Sequence, residues 1–332
     1  VSEPGRPPPF VRTVALFGGP VALYYVALLA LRHGELSASF VVAYGLATVW
    51  LAIYPHFLWR YGAVQLPAFF ARAAEAVEDA SGLDAARASF QRAYVRGGIA
   101  LAVPFALLGG AIYLGGLDVV VRGGGGIRGA ADPFFLLGAL LVAWGGVLVG
   151  FGMSLTFTTL AAVARVASRP LRLHPFHPDT RSGLKPFGDF SLPATLLVAS
   201  GALVLPLVFL YSPSLQDPYL LLGVACHTLA ILATFVAPLY LVHKAGERER
   251  ARILARLQDE YDRLRPRLHD KGADQLQVTR QLDTVRREQA EARDMALYPF
   301  DTRVFVELAT SVLLPTLVLV AAAVLHQLGI GA

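Results

Sequence analysis

Apolar residues gather in seven blocks, near 13–32, 39–59, 97–117, 134–164, 189–211, 218–242 and 304–328. Each is long enough, as a helix, to cross a hydrocarbon core of about 30 Å. The pattern predicts an all-α, polytopic membrane protein with seven transmembrane helices. Arg6 and Arg12 stand before the first block as they would before a signal sequence, but the apolar run exceeds a usual secretory h-region and is read as a spanning helix. The fourth block runs on to Val166, which predicts a helix that is tilted or projects beyond the bilayer.

Between blocks the period changes. Residues 60–96 read as one or two short amphipathic helices at the membrane surface, with Pro67, Phe69 and Phe70 opening the first and a break at Ser81 and Gly82. After the sixth block, Ile253, Leu257, Tyr261, Leu264 and Leu268 recur every three or four residues among dense charges. "HDKGAD" then supplies a turn, and Val278, Leu282, Val285, Gln289, Ala292 and Ala296 follow at heptad-like spacing. This predicts a helical hairpin over 246–302 whose apolar stripes need a partner, for packing or oligomerisation. The chain thus divides into helices 1–6 (1–245), the hairpin (246–302) and a final span (303–332).

Charge sets the orientation. Of the 29 lysines and arginines, 26 fall in the N-terminal arm and the segments 60–96, 165–188 and 244–303; Arg32, Arg122 and Arg128 alone fall on the other side. Basic residues are retained inside during insertion, so the N-terminus is expected inside and the C-terminus outside. The net charge of +5 then reflects topology and contact with anionic lipid, and nucleic acid is not implied. The expected location is the cell membrane.

Candidate chemistry is sparse. "GGGGIRG" at 123–129 has the GxGxxG spacing, but in a loop between two spans, without the βαβ unit that a dinucleotide site needs. GxxxxGK[ST], HExxH and GxSxG are all missing from the sequence, so no enzyme class and no cofactor is expected. The single cysteine, Cys226, lies in the sixth block and reads as core. "LHPFHPDTRSGLKPFGDF" at 173–190 offers His174, His177, Asp179 and Arg181. Pro175 and Pro178 keep the two histidines off a common helix face, so these residues read as a structured joint that clasps neighbouring helices rather than a metal centre. A metal-dependent membrane enzyme built on His174, His177 and Asp179 is the alternative, and a noncatalytic sensor or scaffold acting through the hairpin is another.

In orientation, in its extended fourth and sixth helices, and in helical mass just before the seventh span, the chain resembles the seven-span ion-channel superfamily of the insect odorant and gustatory receptors. The resemblance lies in architecture and covers nearly the whole length. It implies an anchor domain that holds four subunits around a pore lined by the last helix, hence a homotetrameric cation channel opened by a ligand. The family's tyrosine-containing signature in the last span is missing here, where Gln327 is followed by Leu328. The HPD-to-Gly loop and "YPFDTRVFVEL" at 298–308 also resemble stretches of prokaryotic membrane proteins.

On a pore-lining last helix, Glu307, Thr310, Leu314, Leu317, Ala321 and Leu325 share one face at steps of three and four. Glu307 would attract cations at the inner mouth, and the leucines would gate by dewetting. Tyr44, Tyr113, Trp144 and His227 fall at comparable depth in the outer half and suit a small amphipathic ligand.

The joint reading of 173–190 makes one prediction. Elemental analysis of protein purified without chelator is expected to find well under one metal ion per chain; a stoichiometric transition metal would return the histidines to the role of ligands.

Overall fold

The computed structural model describes residues 10–122, 124–174, 181–205, 218–269, 275–299 and Val306. The described chain is helical apart from turns and two isolated β-bridges. Its helices are α1 (Phe10–Arg32), α2 (Ala38–Arg60), α3 (Leu66–Ala73), α4 (Leu83–Gly115), α5 (Leu117–Arg122), α6 (Pro133–Ala167), α7 (Lys185–Ala199), α8 (Pro218–Leu264) and α9 (Gln275–Arg293). Among the described residues, six helical stretches are long and apolar enough to cross a membrane: Phe10–Glu35, Ala38–Ala73, Leu83–Gly115, Pro133–Ala167, Lys185–Val204 and Gly223–His269. The seventh expected span, 304–328, lies outside the described residues apart from Val306.

The helix starts follow local chemistry. The Ser37 hydroxyl accepts the Phe40 N–H to cap α2, and the Asp132 carboxylate accepts the Phe134 N–H to cap α6, where Pro133 occupies the first turn. Gly82, at φ +72°, supplies the left-handed residue that starts α4. Residues 60–73 differ from the expected separate surface helix. A π-helical turn at Tyr61–Gln65 carries α2 directly into α3, and Phe69 and Phe70 are buried in the main core. Phe69 stacks on Phe190 at 4.3 Å, and Tyr61 stacks on the same ring at 5.7 Å. Those aromatic contacts outweigh what a lipid surface offers the same rings.

α4 and α6 form the tightest seam. A Cβ on Gly150 would lie 2.6 Å from the Ala102 nitrogen, and one on Gly146 would lie 2.6 Å from the Phe105 carbonyl carbon. Only glycine lets the two backbones come this close, the arrangement by which helices associate in lipid. Hydroxyl pairs tie the other helices in: Tyr61 with Thr159 at 2.8 Å, Thr234 to Thr156 at 3.1 Å, and the Trp50 indole N–H to Ser200 at 3.2 Å.

The two ends of the bundle are built differently. At one end Arg32 pairs with Asp132 at 3.3 Å, Arg128 pairs with Glu35, and Ser37 N–H donates to the Gly124 carbonyl at 2.8 Å. There the glycine-rich loop folds back on the α1–α2 turn, with Gly124 and Gly126 at φ +77° and +71°. At the opposite end stand the 74–82 turn, the corner after α6 and the helical hairpin. α8 runs unbroken from the spans into that hairpin; its 47 residues extend about 70 Å.

The hairpin stripes find each other within the chain. Leu257, Leu264, Val278, Leu282, Val285 and Ala292 are buried, with Ile253, Tyr261 and Leu268 packed against them, and Gln289 donates to Gln258 across the pair at 3.4 Å. Burying such side chains from water stabilises by roughly 2 kcal/mol each, more than the surface ion pairs beside them. Ala296, expected in the second helix, lies past its end at Arg293.

Gly150→Leu is expected to lower stability by about 3 kcal/mol or prevent folding, because the obstacle is backbone. Gly110→Ala, with nothing within 4 Å of the new methyl, serves as the matched control and is expected to leave the melting temperature unchanged. Thermal unfolding in detergent compares the two.

Candidate functional site

The corner after α6 is built by short-range bonding. Arg172 N–H donates to the Ala76 carbonyl at 2.9 Å, and Glu78 N–H donates to the Pro170 carbonyl at 3.0 Å, so the corner and the 74–82 turn brace each other beside the Val77–Leu171 bridge. The Arg169 guanidinium donates to the carbonyls of Asp79 and Ser81, both at 2.7 Å. Further along, His174 N–H donates to the Ser182 carbonyl at 3.4 Å, and Ser182 and Gly183 turn the chain at φ 55° and 91° into α7.

This corner faces the hairpin across an open cleft of about 730 Å³. Leu171, Ile253, Leu257, Ala292 and Met295 form its floor. Its charged lining is Glu78 from the turn, Glu249 and Arg256 from α8, Glu288 and Glu291 from α9, and Arg172 from the corner, with His174 at the rim. Four carboxylates against two guanidiniums leave an acid excess, so the cleft favours a cationic or amphipathic amine guest over an anion. Glu249 is buried and accepts a hydrogen bond from Arg252 at 3.1 Å.

Directly beside the cleft the hairpin rejoins the spans. Met295 and Leu297 are buried in the same core as Val242 and Ala245 of α8 and Leu184 at the start of α7. Gly246 leaves room for Leu297, whose Cδ2 lies 3.1 Å from the position a Cβ would take. Tyr298 stacks on His243 at 4.3 Å, and the His243 Nε2 lies 3.3 Å from Glu247. Arg248 reaches across to the Ala167 carbonyl at 3.0 Å, tying α8 to the end of α6.

Of the expected joint residues, His174 and Arg181 stand at the two ends of this corner, while His177 and Asp179 lie outside the described residues. Among the described residues no group of three or more His, Cys, Asp or Glu is placed to hold a metal ion. The pore-face residues Glu307, Thr310, Leu314, Leu317, Ala321 and Leu325 also lie outside the described residues.

The four residues expected to form an outer ligand site separate into three environments. Tyr44 and Tyr113 share the cluster of Leu28, Phe40 and Phe135 at the end away from the hairpin. Trp144 stacks on Phe17 at 5.6 Å, and the His227 ring lies over Gly201, where α7 tightens to a 3₁₀ turn at Ser200–Val204. Trp50 and Ser200, hydrogen-bonded beside that turn, belong to no motif; a tryptophan in mid-span is the one sequence signal that marks them. The glutamates of the cleft come from three separate segments, and their convergence has no sequence motif either. Comparison with protein-family models, curated proteins and solved structures gives no match.

The Asp79 carboxylate holds the 74–82 turn. It accepts the hydroxyl and backbone N–H of Ser81, both at 2.8 Å, which with the nearby Arg169 charge holds its pKa below the usual carboxylate range. A depressed folded pKa stabilises the turn fully above the ordinary carboxylate value of about 3.9, and that stabilisation is lost as pH falls through the folded value. The hydrogen-exchange protection factor of the Ser81 amide is expected to be level from neutral to mildly acidic pH, then to fall several-fold. Asp79→Ala is expected to remove this step.

Proposed function

We propose that the chain is a subunit of a homo-oligomeric, ligand-gated cation channel, a tetramer whose last span lines the pore. The hairpin end is cytoplasmic, the chain ends outside, and the assembly resides in the cell membrane. The observation that carries this reading is the clasp at 295–298. α8 joins the spans to the hairpin without a break, and the returning segment is seated on α8 beside the start of α7, immediately before the final apolar block. In this reading a change of hairpin angle would move the clasp from which the chain continues towards the last span.

The same geometry supports a role for the charges. The cleft lies beside the clasp, where its carboxylates would enrich cations, and Glu307, expected in the last span, would add a further carboxylate for them. The hairpin stripe is used within the subunit, so subunits would meet through other surfaces, with the last span at the symmetry axis. A noncatalytic sensor or scaffold is the second reading, favoured by the cleft itself, which is formed within one chain; there the guest, and no ion, would be the message.

Proteoliposomes separate the two. The channel reading expects cation flux from wild-type protein, and Leu317→Ser, which wets the gate, is expected to raise it about tenfold, equivalent to roughly 1.4 kcal/mol in gate opening. If neither protein conducts, the scaffold reading takes its place.

A further inference from the structure

The two faces of α4 differ in character. Tyr94, Gly98 and Ala102 are buried: the Tyr94 hydroxyl donates to the Leu58 carbonyl of α2, and Gly98 and Ala102 meet Phe151 and Gly150 of α6. Another face, about 120° round the helix, carries Val95, Ile99, Val103 and Leu107, exposed by 48, 58, 60 and 69%. On a spanning helix such a stripe lies against acyl chains.

Arg92 and Arg96 continue this stripe towards the hairpin end. At 3.6 residues per turn, Arg96 lies one turn below Ile99 and two below Val103, and Arg92 lies one turn below Arg96. Both are exposed, and among the described residues neither has a hydrogen-bond or ion-pair partner. Asp84 is the sole acid between Leu83 and Arg96 and sits two turns from Arg92. Two long, charged side chains at the end of an apolar stripe reach to the level of lipid headgroups while their stems stay on the stripe. Two guanidiniums one turn apart suit the bracketing of a single phosphodiester, for which their fork of donors is well shaped.

We infer that Arg92 and Arg96 bind the phosphate of an anionic phospholipid whose acyl chains lie along Val95, Ile99, Val103 and Leu107. A zwitterionic headgroup carries its own cation and neutralises the attraction, whereas a net negative one complements the pair. The continuous apolar stripe selects a lipid over a soluble anion. The site rests on the membrane assignment alone and is independent of conduction.

Native mass spectrometry of the full chain in neutral detergent tests this, with dioleoylphosphatidylglycerol and dioleoylphosphatidylcholine as probes. Wild type is expected to retain the anionic lipid preferentially, and Arg92→Gln with Arg96→Gln to reduce its retention about tenfold with little effect on the zwitterionic lipid. Arg87→Gln, about 140° round the helix from Arg92, is expected to retain it as wild type does. Equal retention of the two lipids by wild type, unchanged retention by the double variant, equal loss on Arg87→Gln, or displacement by millimolar inorganic phosphate would each overturn the assignment. Circular dichroism and melting of the variants, expected to match wild type, establish that they fold; a double variant that fails to fold is replaced by Arg92→Lys with Arg96→Lys. That pair keeps the charge but loses the fork, and is expected to retain an intermediate amount; full retention would overturn the bracketing geometry.

Discussion

Helices surrounded by hydrocarbon gain little by burying apolar surface against each other, since lipid already covers it; they are held by close backbone approach and by hydrogen bonds that lipid cannot supply. The seam between α4 and α6 is this chain's answer to that constraint. Both helices exceed thirty residues, so a contact line set by Gly146, Gly150 and Ala102 fixes one long axis against which α2, α7 and α8 can be placed. The remaining helices add hydroxyls at chosen depths: Thr156 and Thr159 of α6 meet Thr234 and Tyr61, one from each flank. Each such bond is worth only about 0.6 kcal/mol in a membrane, yet each also selects a rotation of the helix that carries it.

Past the membrane the rule reverses, and α8 obeys both regimes along its length. Towards its C-terminal half, water is again the alternative environment, and burial of Leu257 and Leu264 against α9 does most to hold the hairpin closed. The dense charges of the hairpin matter less for its cohesion than for what they present. Glutamates gathered on the cleft side give the end of the molecule that is richest in arginine a recess lined by more carboxylates than guanidiniums.

How much of this is legible before the fold is known depends on whether the information is periodic. Six apolar blocks reappear as helices because hydropathy integrates over many residues, and Val278, Leu282, Val285 and Ala292 are buried because heptad spacing is itself geometric. Azimuth around a span is not readable: Tyr44 and Tyr113 share one cluster, whereas Trp144 and His227 face other neighbours. The cleft is illegible for a further reason. Glu78, Glu249 and Glu288 belong to segments far apart in the chain, and only the bracing of the corner against the turn brings them to one recess.

The π turn at Tyr61–Gln65 changes the phase of a continuous rod. An α-helix advances about 100° per residue, and one surplus residue in a wide turn shifts everything beyond it by that angle without breaking the backbone ladder. The rod formed by α2 and α3 can therefore show one set of side chains to α1 and α6 within the spans and a differently oriented set, Phe69 and Phe70, to α4 and α7 below them. A single helix thus behaves as two surfaces in fixed angular registration, and the length of that one turn, more than any side chain in it, sets how the membrane part and the part beneath it are rotated with respect to each other.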